Sequence, residues 1–505
     1  MRENSTGLFK IVGIGLLLVT LWAMLSFYVP EKFLSPLNIE NLLRRTALYG
    51  ILGIGVAFVI MTGGIDLSIG SMVCLCGCLL AMFLQVDYLP VNEVDVWEVR
   101  VADGTFVVAA DVEFRPGERV RYYNGRKARN QISNIVSVDP IQFNGKSALS
   151  IVLDQPPSRD DVVDSSSRSI GKLVPVLPIR EVSTDLPEGA SPQIVISTAR
   201  LTLKPRDRIW MVLGVRGMSE ETVTGVESSG ENSVVFLKNQ PVGVTTEWCA
   251  IPVRRSPRMS IPVAVVSVMG IALFLGSIHG LLITKLRQQA FVVTLCGLMI
   301  YRGLARRFSS DQTLGFGNEY ADSLGALSTG RWVLWQSSET GASFGIPYVV
   351  FILIAVAIIA AVILNLTIWG RYILALGKNQ EAAKYSGINT DRMICLTYVL
   401  CALATGLGGI LHAIDANSIA PSSFGNWFEL WAIAAAVLGG CSLRGGEGSI
   451  FGVVVGTALM QTLYNMIILL QISSELEYVI IGMVILLGVV SDELIRRVAS
   501  VVRRR

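Results

Sequence analysis

The sequence is poor in charge. Only 16% of its 505 residues are Asp, Glu, Lys or Arg, against about 25% in an average soluble domain. At the same time 52% are hydrophobic and the mean hydropathy is +0.55, which excludes an ordinary soluble protein. The net charge of +3 gives no electrostatic reason to expect a nucleic-acid partner. There are two histidines, His279 and His412, too few for a multi-histidine metal centre in one chain, and at 133 residues apart they cannot form the HExxH of a zinc protease. Of the eight cysteines, seven (Cys74, Cys76, Cys78, Cys296, Cys395, Cys401 and Cys441) lie in or beside apolar runs, which is neither a disulfide framework nor a zinc pattern. A P-loop is missing too: Gly145-Lys146-Ser147 has Pro140 where the first glycine belongs, so nucleotide phosphates cannot be cradled in that way. Asp66 and Asp415 lack the contexts of an intramembrane aspartyl protease. No catalytic, metal or cofactor residue is therefore expected, and the chain is not expected to be an enzyme.

What is present is long apolar sequence. A helix needs about 20 mostly apolar residues to cross a hydrocarbon core of about 30 Å. Ten candidate spans read near 8–29, 46–62, 66–86, 260–284, 290–305, 347–368, 393–415, 429–441, 450–470 and 475–491. The first is expected to be an uncleaved first helix. The basic end RRVASVVRRR, the stretch Lys285–Arg287 and the segment Arg371–Lys384 assign their loops to the cytoplasm. Ten spans then leave both termini inside and the long segment 91–258 outside. Arg44/Arg45 and Arg302/Arg306/Arg307 dissent from that orientation.

Segment 91–258 is an interruption. It holds 42 of the chain's 81 charges in 168 residues. Short runs such as VEFRPGERVRYY, ALSIVLDQ, PQIVIS and NSVVFLKNQP, rich in Val, Ile and aromatics and separated by turn residues, read as strands. FRPGERVRYY (114–123) resembles LKPRDRIWMV (203–212) at an offset of 89, and ALSIVLDQPP (148–157) resembles SVVFLKNQPV (233–242) at an offset of 85. Two similar β modules, about 91–157 and 190–250, are expected, joined by a flexible polar linker over 156–191. The segment has no histidine and one cysteine, Cys249, so a binding or spacer role is expected of it. The fold class is thus an α-helical polytopic membrane protein of about ten transmembrane helices, 1–90 and 259–505, interrupted by a soluble, mostly β insert.

Three polar motifs break the apolar pattern. In MTGGIDLSIGS (61–71), Gly63 and Gly64 interrupt a run before Asp66 and Ser68 open the next. Asp66 is expected to cap a helix starting at Leu67, a role compatible with lining a path at a broken helix. In WGRYILALGKNQEAAKYSGIN (369–389), Asn379 is a natural N-cap, Glu381 lies in the first turn and Gly387 is a natural C-cap. One short surface helix of about two turns is expected, of the kind that receives a push from a soluble motor. In AAAVLGGCSLRGGEGSIFG (434–452), glycines permit a tight re-entry, and Arg444 with Glu447 reads as an ion pair at the inner surface. Glu429, between Trp427 and Trp431, is a first-turn residue favoured by the helix dipole, with a gating role as the alternative. His279 is expected to be a hydrogen-bonded packing residue.

Together these motifs resemble the permease subunit of ABC sugar importers of the ribose/xylose/arabinose/galactose type. The family pattern ILTSGIDLSVGS resembles IMTGGIDLSIGS (60–71), and KxRxQAFxxTL resembles KLRQQAFVVTL (285–295). GRYxxALGxNxxAAxxSGIN matches 370–389, and VLGGxSLxGGxG matches 437–448. The order is the same over residues 30–86 and 259–495, and the insert is the departure. The resemblance implies an inner-membrane sugar path with a separate ABC ATPase docking on 379–387, an extracytoplasmic sugar-binding protein, and a homodimer or a homologous permease partner in the lipid bilayer. It implies Gly63, Gly64, Asp66, Ser68 and Glu429 along the path. Gly377, Asn379, Glu381, Ala382, Ala383, Ser386 and Gly387 fall on the ATPase-coupling loop, 369–392. The expected mechanism is alternating access for a monosaccharide. The alternatives are a nucleoside or other polyol as cargo, or a membrane-anchored receptor or structural protein acting through the insert.

Overall fold

The computed structural model describes residues 3–100, 103–123, 132–155, 171–183, 191–196, 203–213, 217–229, 232–317, 319–336 and 343–473, with 476, 479–480, 482–483, 486 and 490. The expected span 475–491 and the basic C-terminus lie largely or wholly outside them. The chain divides into two units, Met1–Gln85 with Met259–Arg505, and Val86–Arg258.

The first unit is helical. Its helices are α1 (Glu3–Tyr28), α2 (Pro30–Phe33), α3 (Pro36–Met61), α4 (Ile69–Phe83), α5 (Ile261–Thr284), α6 (Ala290–Phe308), α7 (Ala326–Thr329) and α8 (Tyr348–Leu366). They are followed by α9 (Ile368–Lys378), α10 (Gln380–Tyr385), α11 (Thr390–Ala416), α12 (Phe428–Leu438) and α13 (Ile450–Leu469). Among the described residues, five of these (α3, α5, α8, α11 and α13) are long and apolar enough to cross a membrane by length and composition. α3 is the axis of the packing. Ile51, Leu52, Val56, Val59 and Ile60 are buried in a core shared with α4, α8, α11, α12 and α13. α5 and α8, by contrast, turn most of their apolar surface outward. Small residues bring α3 and α11 close: a Cβ on Gly55 would stand 3.2 Å from the Cys401 carbonyl oxygen.

Several helix bounds differ from the sequence reading. α3 starts ten residues before the expected span at 46, because Ser35 accepts the Asn38 N–H as an N-cap and Pro36 supplies the first helical φ. α4 starts at Ile69 rather than Leu67. α9 occupies what was read as polar loop. Its Ile373 and Leu376 are buried while Arg371 and Tyr372 are exposed, so an amphipathic stripe too short to register as a span makes the helix.

The second unit is all antiparallel strand: β1 (Val86–Pro90), β2 (Val94–Arg100), β3 (Thr105–Ala109), β4 (Arg119–Tyr123), β5 (Ile132–Phe143), β6 (Lys146–Leu153) and β7 (Gly171–Val182). β8 (Gln193–Ile196), β9 (Arg208–Leu213), β10 (Gly217–Ser229), β11 (Asn232–Leu237) and β12 (Cys249–Pro257) complete it. The pairings close two rings. One runs β2-β3-β6-β5-β4 and back to β2 through the first half of β7. The other runs β8-β11-β10-β9-β12 and closes through the second half of β7. Each ring has its own apolar filling, Phe106, Val108 and Ile151 in the first, Ile194, Met211 and Val235 in the second. Closure pairs the strand edges that would otherwise invite association.

The rings share details. Gly117 and Arg206 both have positive φ, +89° and +79°. Glu118 accepts the Arg115 N–H (3.1 Å) as Asp207 accepts the Lys204 N–H (2.7 Å). The Gly117 N–H reaches the Ile135 carbonyl as the Arg206 N–H reaches that of Val223. The register slips just after Ile135 in β5 and just after Val223 in β10. Leu153, opposite Ile135, corresponds to Leu237, opposite Val223, so the offset there is 84 rather than 85.

The sequence-based linker at 156–191 is corrected over Gly171–Val182, which is strand β7, shared by both rings. Pro175 and Pro178 disguised it, yet Leu173, Val174, Val176 and Ile179 are buried. Residues 156–170 lie outside the described residues. β1 also extends the β unit to Val86, five residues before the expected boundary, by pairing with the end of β12.

Candidate functional site

The break between α3 and α4 is built from its own residues. Gly63 takes φ +80° after the Thr62 cap, and the Gly64 N–H returns to the Val59 carbonyl. Asp66 is only 2% exposed. Its Oδ1 accepts both the Ser68 N–H (2.9 Å) and the Ser68 hydroxyl (2.7 Å), and the Cys401 thiol lies 3.7 Å from Oδ2. Asp66 is thus bonded two residues ahead, and Ser68, not Asp66, occupies the cap position of α4. The Ile65 carbonyl, left without a helical partner, accepts from Tyr398 (3.3 Å) and Thr294 (3.4 Å). Beside them His279 and Tyr301 share a 2.8 Å hydrogen bond and stack. A polar knot within the helical unit therefore satisfies the broken backbone, as burial demands.

The irregular segment 417–427 packs against α4, with the Cys74 thiol 3.5 Å from the Pro421 carbonyl oxygen. Arg302 donates to the carbonyls of Pro421 (3.1 Å) and Phe424 (2.6 Å). Glu429 is buried in the first turn of α12, with Oε2 packed against the Gly70 backbone. Asp66, Ser68 and Glu429 are therefore gathered around the start of α4, while Gly63 is exposed at the opposite end of the break.

The three polar motifs meet at one point. The Gly446 N–H donates to the Met61 carbonyl at the end of α3 (2.8 Å). Gly377, near the end of α9, lies so close to Met61 and Gly446 that a Cβ there would overlap their backbones. Gly445 and Gly446 have φ of +84° and +77°, which keeps this corner sharp.

From this joint α10 projects. Asn379 accepts the Ala382 N–H (2.9 Å) as its N-cap. Gly387 has φ +84°, its N–H bonds the Lys384 carbonyl, and the Ile388 N–H bonds that of Ala383, a Schellman end. Asn379, Glu381, Ala382, Ser386 and Gly387 are exposed, whereas Ala383 is buried and fastens the helix down. The sequence reading missed Tyr385, 89% exposed on this helix; an aromatic in a short polar helix was its only signal. It also missed Arg302, Thr294 and Tyr398, whose partners lie more than 100 residues away along the chain, and Tyr301, which bonds His279 from the next helix. Among the described residues, no cluster of three or more His, Cys, Asp or Glu could hold a metal.

A family model described as the permease component of the branched-chain amino acid transport system matches residues 38–101 and 229–489. The chain belongs to that family. The match steps over 102–228, which lies within the β unit. This permease is 36% identical over 231 residues to the ribose import permease protein of Escherichia coli (strain K12), covering 46% of this chain and 68% of that one. It is 36% identical over 216 residues to the L-arabinose transport system permease protein of the same strain, covering 43% and 61%. It is 29% identical over 292 residues to the fructose import permease protein of Rhizobium meliloti, covering 57% and 77%. No solved structure matches the permease.

Proposed function

We propose that this permease forms the membrane path of an ATP-driven importer for a monosaccharide. The names of its relatives (ribose, L-arabinose and fructose) support the substrate class. A separate ATPase docks on α10, an extracytoplasmic binding protein delivers the sugar, and a second permease subunit faces this one in the bilayer. ATP-driven closure of the motor pair pushes α10, and the helices rock between inward-open and outward-open states. Gly63, Gly64, Asp66, Ser68 and Glu429 edge the path. Asp66 serves it by holding the broken helix in shape, since its carboxylate is already bonded within the break.

The observation that carries this reading is the joint of Met61, Gly377 and Gly446. It ties the exposed helix α10 to the broken helix through backbone contacts, so a push has a rigid route inward. The orientation is ten spans with both termini cytoplasmic and residues 86–258 extracytoplasmic. It is supported by α3, whose Met61 end shares this joint and whose Glu40 end bonds Arg331 far from it. Arg302, one of the dissenting cations, is engaged by the carbonyls of 417–427, which weakens its vote on topology.

The test is uptake into proteoliposomes holding the permease, its ATPase and its binding protein. ATP-dependent accumulation of one pentose or hexose is expected. Accumulation of a nucleoside with no sugar uptake would overturn the substrate class, and no ATP-dependent uptake of any solute would overturn the importer.

A further inference from the structure

Between α7 and α8 the helical unit carries a two-stranded antiparallel ribbon, β13 (Arg331–Gln336) and β14 (Ser343–Pro347). Its sequence, RWVLWQ, lacks the apolar/polar alternation of a strand with one wet face. Trp332, Val333, Leu334 and Trp335 are 59%, 45%, 55% and 55% exposed, so apolar side chains stand out on both faces. An isolated ribbon of this kind is marginal in water.

Its position is fixed from below. Glu40, 2% exposed near the start of α3, accepts from both strands at the ribbon base: Arg331 Nη1 donates to its Oε1 (2.7 Å) and Oε2 (2.6 Å), and the Gly345 N–H donates to Oε1 (2.7 Å). Arg331 Nη2 also bonds the Ser343 hydroxyl (2.6 Å). One buried carboxylate thereby clamps both strands to α3. Pro347 ends β14 and Tyr348 begins α8, so the base of the ribbon adjoins the start of a 19-residue apolar helix. α8 spans about 28 Å at 1.5 Å per residue, close to the hydrocarbon thickness. Its outward face, Phe351, Ile354, Ile358 and Ile359, continues into the ribbon through Trp332, whose ring lies 5.9 Å from that of Phe351.

Two requirements then fix the depth. The exposed apolar side chains call for lipid. The outer edges of a two-stranded ribbon carry unpaired backbone N–H and C=O groups, which cannot enter the hydrocarbon core. Only the headgroup layer satisfies both, and it is the layer that indole rings favour. We propose that the β13–β14 ribbon is an interfacial anchor, with Trp332 and Trp335 seated in the headgroup layer at the end of α8 away from α9. It would set the depth of α3 and α8 while the joint at the other end moves.

The test uses the full permease in bilayer nanodiscs and the double variant Trp332→Phe/Trp335→Phe, with the emission of the two rings taken as the difference from the native protein. Brominated phosphatidylcholines carry the quencher either near the headgroup or near the chain terminus. The expected difference spectrum is blue-shifted and loses more intensity to the shallow bromines than to the deep ones. Emission that is red-shifted, quenched by acrylamide and indifferent to bromine would place the ribbon in water and overturn the proposal. So would emission untouched by either quencher, which would mean a second copy or another protein covers it, or stronger quenching from the deep bromines. If the double variant is not recovered, each single Phe variant reads one ring in the same way.

Discussion

Replacing Gly446 by alanine tests the joint directly. The residue has φ +77°, a conformation that costs an L-residue about 1–2 kcal/mol. The added Cβ would also stand 2.9 Å from the Lys378 nitrogen and 3.1 Å from its Cα. Both are backbone atoms that cannot swing aside, and overpacking of this kind costs about 1–3 kcal/mol. The sum is about 2–5 kcal/mol, drawn from the contact that joins α9 to the end of α3. Gly387 provides the control. Its φ is +84° and nothing lies within 4 Å of its added Cβ, so Gly387→Ala carries only the first cost, about 1–2 kcal/mol. Thermal unfolding of the purified permease should fall further for Gly446→Ala than for Gly387→Ala, and ATP-driven uptake should fail in the former. Equal losses in the two variants would refute the close approach at the joint, and unchanged uptake by Gly446→Ala would refute its role in transmission.

Asn379→Ala removes the hydrogen bond to the Ala382 N–H and should cost about 1 kcal/mol; hydrogen exchange of α10 should quicken while that of α11 is unchanged. Arg331→Leu leaves Glu40, 2% exposed, without its charged partner, an expected loss of about 3–5 kcal/mol in thermal unfolding, and removing the stranded carboxylate as well in Glu40→Met/Arg331→Leu should recover part of it. In the β unit, burial raises the Glu221 carboxyl above its ordinary range, with Asn239 opposing. A raised folded-state pKa means stability present at low pH and lost as pH rises through it, so Glu221→Gln should protect β10 from exchange at neutral pH and leave it unchanged in acid.

How much of this was legible in the sequence depended on distance along the chain. The α10 helix was readable because Asn379 and Gly387 are local signals that sit at its own two ends. The likeness of 114–123 to 203–212 was readable, but VEFRPGERVRYY was read as strand throughout, whereas β4 begins only at Arg119, after a turn that the Glu118 carboxylate closes on the Arg115 N–H. β7 was not readable, since two prolines and two flanking polar stretches gave it the composition of a linker, and only the shared pairing with both rings makes it a strand. The polar knot around Asp66 was half readable. Asp66 and Ser68 announce a break, but Tyr398, Thr294 and Cys401 arrive from helices more than 200 residues away. Glu40 and Arg331, 291 residues apart, left no trace in either local pattern, because each alone reads as an ordinary surface charge.

The most direct measurement of the central claim is ATPase stimulation in reconstituted membranes. The permease, its ATPase and its binding protein are assembled, and hydrolysis is compared with and without each of a panel of pentoses and hexoses, for the native chain and for Glu381→Arg. Glu381 is exposed in the first turn of α10, so reversing its charge should disturb docking without unfolding the helices around it. The expected result is stimulation by one sugar in the native complex and its loss in the variant. Stimulation that survives Glu381→Arg would contradict coupling through α10, and no stimulation by any sugar would contradict the importer itself.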